Sequence, residues 1–166
     1  MADTLNNLAL LYQSQGQYEQ AESLYLQALQ LDQIILGEQH PDMATSLNNL
    51  AGVYQSQEKY EQAEPLLLQA LQFRKTLLGE QHPETATSLN DLACLYKSLG
   101  KYEQAELLFL QVLRLDQAIR GEDHPDTQTT YNNFAFLLEE VIEKNQIDRL
   151  SDDPLTQELI QQLLGE

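Results

Sequence analysis

A repeat of 42 residues runs through this chain and limits the folds that it can adopt. The segment LNNLA at positions 5–9 returns at 47–51, returns with one change at 89–93, and is diverged at 131–135. Residues 5–46 and 47–88 are identical at 29 of 42 positions. Repeats of this length are supersecondary units that bury their apolar faces against neighbouring units. The sequence therefore predicts an array of repeats and not one mixed fold.

Each repeat is predicted to be a helical hairpin. In the second repeat, Leu47, Leu50, Ala51 and Tyr54 recur at the spacing that lines one face of a helix, which we call helix A. A turn follows at residues 57–59, and the same spacing resumes in a helix B. Glycines are expected to end each helix B, and a proline four residues later begins the next helix A. These residues are Gly37, Gly79 and Gly121, and Pro41, Pro83 and Pro125.

The hairpins are expected to form one repeat domain over residues 1–166. Its repeats span about residues 1–40, 41–82 and 83–124, followed by a degenerate fourth repeat at 125–150 and a C-terminal capping helix at 154–164. Every periodic segment has the helical spacing and none alternates as a strand would, so the predicted fold class is all-α. Pro65, inside the second helix B, is expected to bend that helix slightly.

Composition argues against several classes of function. The chain has 26 acidic residues against 9 lysines and arginines, a formal charge of −17, and nucleic-acid binding requires clustered basic side chains. No apolar run approaches the ~20 residues needed to span a bilayer, and the first residues lack the pattern of a signal peptide. Because Cys94 is the one cysteine, no internal disulfide forms, which fits a reducing compartment. We therefore expect a cytoplasmic protein that binds neither nucleic acid nor membranes.

Residue types that carry chemistry recur once per repeat and do not converge. His40, His82 and His124 are separated by whole hairpins, too far to share a metal ion, and are expected to act in linkers or as helix caps. Nucleophile motifs, phosphate loops and zinc helices are absent from the sequence. The chain is therefore predicted to be no enzyme and to use no cofactor or metal. The glutamate pairs of the B helices are expected on a solvated outer face: Glu19 with Glu22, Glu61 with Glu64, and Glu103 with Glu106.

Three motifs resemble the 42-residue tetratricopeptide repeats of kinesin light chains and their bacterial relatives. They are LNNLAxxY at residues 47–54, KYEQAEPL at 59–66 and LGEQHP at 78–83. The resemblance covers nearly the whole chain, although the heptad segment that ties a kinesin light chain to its heavy chain is absent. It implies a right-handed α-solenoid of tetratricopeptide hairpins whose A helices line a concave groove that holds a peptide.

The groove residues that the resemblance implies lie on one face of each helix A, at i, i+3, i+7 and i+10. The basic side chains that kinesin light chains use for acidic peptides are represented only by Lys97, so acidic cargo is not expected. The candidate binding residues are Asn6, Gln13, Thr45, Asn48, Gln55, Thr87, Asn90, Lys97 and Asn132. The same face carries Asp3, Leu10, Gly52, Cys94, Thr129, Phe136 and Glu139.

The asparagine that recurs along this face has two interpretations. Its amide offers both a donor and an acceptor to the backbone of an extended peptide. Alternatively, the amide bonds a neighbouring helix and fixes the geometry of the repeats. Asparagine costs roughly 0.5 kcal/mol relative to alanine inside a helix, so either role has to offset that cost in each repeat.

These patterns predict a non-enzymatic interaction module that binds a neutral or basic peptide or protein segment. The alternative is a structural scaffold that associates through its repeat ends and binds no peptide. Residues 1–5 align with 43–47, inside a helix A, so the chain is expected to be a piece of a longer array. Leu5, Leu8 and Tyr12 would then form an exposed apolar stripe, and a homo-oligomer through the N-terminal repeat is expected.

Overall fold

The computed structural model describes residues 2–36 and 41–165 of the chain. Within them every regular element is helical and no strand occurs, which confirms the all-α prediction. None of the described helices is long and apolar enough to cross a membrane. The helices are α1 (Ala2–Ser14), α2 (Tyr18–Leu36), α3 (Pro41–Ser56), α4 (Tyr60–Leu78), α5 (Pro83–Ser98), α6 (Tyr102–Arg120), α7 (Pro125–Glu143) and α8 (Pro154–Leu164), with a short 3-10 turn at Ile147–Arg149. The A helices are α1, α3, α5 and α7, and the B helices are α2, α4 and α6.

Glycines end the B helices, as the sequence predicts. Gly79 has φ of 93° and Gly121 has φ of 87°, in the region that side chains with a Cβ avoid. Each glycine N–H donates to the carbonyl four residues earlier, at 3.1 and 3.2 Å respectively, which satisfies one of the carbonyls left over at a helix end. Gly37 lies outside the described residues.

Histidines cap the A helices that follow. The Nδ1 atom of His82 accepts a hydrogen bond from the backbone N–H of Glu84, and His124 accepts one from Asp126, both at 3.2 Å. Each bond satisfies one of the backbone N–H groups left without a partner at the start of a helix. This is the capping role expected for these two residues, whereas His40 lies outside the described residues.

The chain divides into two compact units, residues 1–88 and 89–166, with the division inside α5. In the first unit α1 pairs with α2, α3 pairs with α4, and α2 also packs on α3. Its core joins Ala9, Ala21 and Tyr25 of the first hairpin to Leu50 and Val53 of α3. The small alanine side chains leave room for the large side chains of the next repeat, so the hairpins pack closely.

The second unit is built around α6, α7 and α8. The rings of Phe109 and Phe134 lie 5.8 Å apart between their centroids, and Leu159 and Ile160 of α8 belong to the same apolar core. The α8 helix begins after Asp153, whose side chain accepts a hydrogen bond from the N–H of Leu155 at 3.1 Å. An N-terminal cap and an apolar face therefore fix α8 to this unit.

Glu106 contradicts the expectation of a solvated outer face, because it is only 1% exposed. The segment that follows α7 returns to α6 and supplies three donors to this carboxylate. Ser151 donates from its N–H at 2.9 Å and from its hydroxyl at 2.6 Å, and the Thr156 hydroxyl donates at 2.8 Å. These bonds compensate the cost of burying the charge. At the equivalent position of the first repeat, Glu22 accepts from the Tyr54 hydroxyl at 3.0 Å. The exposed members of the glutamate pairs are Glu19, Glu61 and Glu103.

Candidate ligand-binding face

All nine candidate binding residues lie on A helices, and we call them the polar stripe. Three of them, Thr45, Thr87 and Asn132, are exposed, and the other six are half-buried. The stripe therefore combines accessible side chains with side chains held partly inside the protein. In the first unit it comprises Asn6 and Gln13 of α1, Thr45, Asn48 and Gln55 of α3, and Thr87 at the start of α5; in the second unit it comprises Asn90 and Lys97 of α5 and Asn132 of α7.

In the first unit, Asn6 is hydrogen-bonded to the next A helix. Its Nδ2 atom lies 3.0 Å from the Oγ atom of Ser46 in α3. The same Oγ atom lies 3.2 Å from a carboxylate oxygen of Asp32, and both Ser46 and Asp32 are buried. The amide is thus tied to the interior of the unit while the Asn6 side chain stays half-exposed.

Gln13 is held by the core of the same unit. Its Oε1 atom accepts a hydrogen bond from the Tyr25 hydroxyl at 3.4 Å. Burial raises the pKa of Tyr25, so the phenol keeps its proton and remains a donor at neutral pH. The hydrogen bond from the buried Tyr25 therefore orients the Gln13 amide, the second amide of the polar stripe that is held by the core.

In the second unit, the stripe meets an exposed aromatic ring. Asn90 accepts a hydrogen bond from Asn133 of α7 at 3.4 Å. The Nζ atom of Lys97 lies 5.7 Å from the centroid of the Phe136 ring, and that ring is 56% exposed. The cation of Lys97 is thus partly engaged by the negative face of the ring.

Cys94, also on α5, is a poor nucleophile. Burial raises the pKa of its thiol to about 11; the nearby Asp91 acts in the same direction, whereas Lys97 opposes it. The thiolate is the reactive form of cysteine, and a thiol with this pKa stays protonated at neutral pH. The position between Asn90 and Lys97 is therefore filled by a small, inert side chain.

A buried ionisable residue at one repeat position of helix B was not recognised from the sequence. The position holds Asp32, Arg74 and Asp116, which are 42 residues apart and all buried. Arg74 donates from Nη1 to the Ser88 hydroxyl at 2.6 Å, and Asp116 lies 2.9 Å from Arg120. The available signal was an ionisable residue recurring at a fixed place within an apolar helix face.

Metal-binding residues do not cluster in the part of the chain that the structure describes. No group of three or more His, Cys, Asp or Glu side chains comes together there. His82 and His124 have their Nδ1 atoms committed to helix caps.

Comparison of the sequence with family models gives one family. The tetratricopeptide repeat model matches residues 1–76 and 42–118, two overlapping stretches of the chain. Among curated proteins no match is found.

Comparison with solved structures gives extensive likeness in fold. BtubC (BKLC) from P. vanneervenii matches with a TM-score of 0.76 and 24% identity over 99% of this chain, which spans 65% of that protein. A kinesin-light-chain-type protein of nearly identical TPR-like repeats from Podosopora anserina matches with a TM-score of 0.76 and 25% identity, covering 98% of this chain and 86% of that one. The Sgt2 TPR domain from Aspergillus fumigatus has a TM-score of 0.61 and 17% identity, covering 87% and 82%. These likenesses assign an α-solenoid fold of tandem helical hairpins.

Proposed function

We propose that this chain, which belongs to the tetratricopeptide repeat family, is a non-enzymatic interaction module that binds a peptide or protein segment through residues of its polar stripe. The proposal rests on how the amide side chains of the polar stripe are hydrogen-bonded and exposed. Asn6 and Gln13 are anchored by buried partners yet remain half-exposed. Amides held in this way lose little freedom when a ligand binds, which favours affinity.

The charge of the chain indicates the chemistry of the partner. A net charge of −17 attracts basic segments and repels acidic ones, with its main effect on the association rate. The cation on the polar stripe, Lys97, faces the Phe136 ring. The proposed partner is therefore neutral or basic, and the proposed location is the reducing cytoplasm, where the Cys94 thiol is stable.

The test is a pull-down with a random library of 12-residue peptides, followed by affinity measurements on the selected peptides. We expect the double change Asn48→Ala and Asn90→Ala to weaken binding at least tenfold while the helical circular dichroism is kept. The matched control is Gln62→Ala with Gln104→Ala, two exposed residues of B helices. Equal affinities of the stripe variant and the control would assign the asparagines to structure alone.

A second candidate function, a scaffold that associates through its first repeat, is favoured by the exposure of α1. Leu8 and Leu11 are 40% and 52% exposed, whereas Leu50 and Val53, the equivalent residues of α3, are 2% and 0% exposed. In α3 these side chains are covered by the preceding hairpin. A shallow depression of about 510 Å³ on the same face is lined in part by Leu8, Tyr12 and Leu24.

Sedimentation over a range of concentrations separates the two candidates. A scaffold requires a mass that rises with concentration and falls back to that of the monomer in the double variant Leu8→Glu with Leu11→Glu. Leu107→Glu, at a 62% exposed position of α6, is the control and leaves the association unchanged. A monomer at every concentration, together with peptide binding, would exclude the scaffold.

A further inference from the structure

A chain of hydrogen bonds runs from the interior of the first unit to the polar stripe. It begins at Asp32 of α2, which is 3% exposed, and continues through the fully buried Ser46 of α3. It ends at the half-exposed amide of Asn6. The Ser46 Oγ atom lies 3.2 Å from the Asp32 carboxylate and 3.0 Å from Asn6 Nδ2.

The number of protons available fixes the direction of this chain. A serine hydroxyl has one proton to donate, and an ionised carboxylate can only accept. The proton of Ser46 is therefore donated to Asp32, because a charged acceptor makes the stronger bond. The Ser46 oxygen then accepts from Asn6 Nδ2. In the reverse arrangement Ser46 donates to Asn6 Oδ1 at 3.4 Å. A lone pair of the Ser46 oxygen would then point at the Asp32 carboxylate 3.2 Å away, which is repulsive.

We infer that Asp32 is a positioning residue for the polar stripe, which acts through Ser46 to make Asn6 offer its carbonyl oxygen to a ligand. The Asn6 amide is bonded to Ser46 through Nδ2, at 3.0 Å. Its Oδ1 atom, which receives no proton from Ser46 in this arrangement, is then the acceptor offered to a ligand. The class of ligand follows: an extended segment that presents an unsubstituted backbone N–H at this position.

The next repeat provides a natural contrast. At the position equivalent to Asp32 stands Arg74, which donates to the Ser88 hydroxyl at 2.6 Å. An arginine only donates, so residue 74 does not take the proton of Ser88. With Asp at this buried position the adjacent serine hydroxyl donates to it, and with Arg the hydroxyl accepts from it. The sign of the buried charge, and not the asparagine alone, distinguishes the first repeat from the second.

This inference rests on the proposed binding function for its ligand, but its first test needs no ligand. In the full ¹⁵N-labelled chain, NMR measures the solvent exchange of the Asn6 side-chain amide, with the exposed Asn145 amide as internal reference. We expect one Asn6 proton to exchange about tenfold more slowly than those of Asn145. Ser46→Ala and Asp32→Asn should each remove that protection, whereas the matched control Asp116→Asn should not. Exchange of Asn6 as fast as that of Asn145 in the unaltered chain overturns the inference, even if both variants fail to fold.

The second test uses peptides selected from a random 12-residue library. Each backbone amide of a selected peptide is methylated in turn, which removes one donor. We expect one methylated position to weaken binding at least tenfold in the unaltered chain, and less than threefold in Asp32→Asn. A loss that is the same in both proteins overturns the role of Asp32 in ligand recognition. If no peptide is selected while Asn6 is protected as described, the proposed function fails and the positioning of Asn6 by Asp32 stands.

Discussion

At the residue scale, Glu106 is the buried carboxylate on which the C-terminal segment depends. Replacing it in Glu106→Ala removes three hydrogen bonds and leaves donors of Ser151 and Thr156 without their acceptor. We expect the free energy of unfolding to fall by about 3 kcal/mol, since buried bonds to a charged group are worth ~1.5–3 kcal/mol each and are not additive. Urea denaturation measures the loss, and hydrogen exchange should show the α8 amides opening first.

The control for this change is Glu103→Ala, on the same helix. Glu103 is exposed and lies 3.7 Å from Arg149, an ion pair of the surface type. Such pairs contribute about 0–1 kcal/mol. A comparable loss in both variants would show that Glu106 has no special part in holding the segment.

Two carboxyl groups of the second unit should make opposite contributions to the pH dependence of stability. Burial raises the pKa of Asp116 above 3.8 despite the opposing charge of Arg120, so its stabilising effect is present at low pH and is lost as pH rises through the raised pKa. The hydrogen bond from Lys144 lowers the pKa of Glu140 below 4.5, so its effect is present above 4.5 and is lost as pH falls through the lowered pKa. Urea denaturation between pH 3 and 7, roughly the range of these titrations, compares the unaltered chain with Asp116→Asn and Glu140→Gln. As pH rises, stability relative to the variant should fall in the first comparison and rise in the second; equal signs would contradict both assignments.

The sequence predicted which helix carries each residue better than it predicted burial. Glu22 and Glu106 occupy the same repeat position, yet one accepts from a tyrosine of the next repeat and the other from the C-terminal segment. The repeat pattern predicts how one hairpin packs on the next hairpin, but the segment after residue 143 does not follow that pattern. The burial of Glu106 by this segment therefore could not be predicted from the other repeats. The candidate stripe residues were placed on the A helices correctly, whereas the support that Asp32 and Tyr25 give them required the packed structure.

At the scale of elements, α4 contains the one proline that lies within a described helix beyond its first turn. The helix continues through Pro65 to Leu78, and the exposed residue at the equivalent place in α2 is Ser23. Proline lacks the N–H that would bond to Glu61 and costs up to ~3 kcal/mol inside a helix, partly offset by ~1 kcal/mol of reduced freedom in the unfolded chain. We expect Pro65→Ser to raise the free energy of unfolding by about 1–2 kcal/mol in urea denaturation. The control Leu107→Ser, at the same place in α6, should change it by less than ~0.5 kcal/mol, and a destabilised Pro65→Ser chain would contradict the argument.

Helix ends were the most predictable elements because their signals are local. Gly79 and Gly121 end α4 and α6, and Pro83 and Pro125 begin α5 and α7, as the spacing required. These signals act through the backbone of a few consecutive residues and need no information about packing. The division of contacts inside α5 had no such local signal.

At the scale of the whole molecule, a charge of −17 opposes the compact state through repulsion among like charges. Salt screens that repulsion, with a Debye length that falls from ~30 Å at 0.01 M to ~10 Å at 0.1 M. We expect Tm to rise by roughly 2–4 °C between these concentrations of NaCl, the shift that ~1 kcal/mol produces in a chain of this size. KCl should give the same rise, because screening does not depend on the identity of the cation. A fall in Tm would mean that ion pairs such as Arg120 with Asp116 outweigh the repulsion.

The glutamate position shared by Glu22 and Glu106 has a consequence for how such a gene can change length. Each of these carboxylates accepts hydrogen bonds from the element that follows its hairpin. Glu22 accepts from a tyrosine hydroxyl of the next repeat, and Glu106 accepts from serine and threonine hydroxyls of the terminal segment. Unequal recombination between the repeats would add or remove 42 residues and still leave a glutamate in front of the terminal segment. A chain that gained or lost one repeat would therefore keep the carboxylate that holds its closing segment.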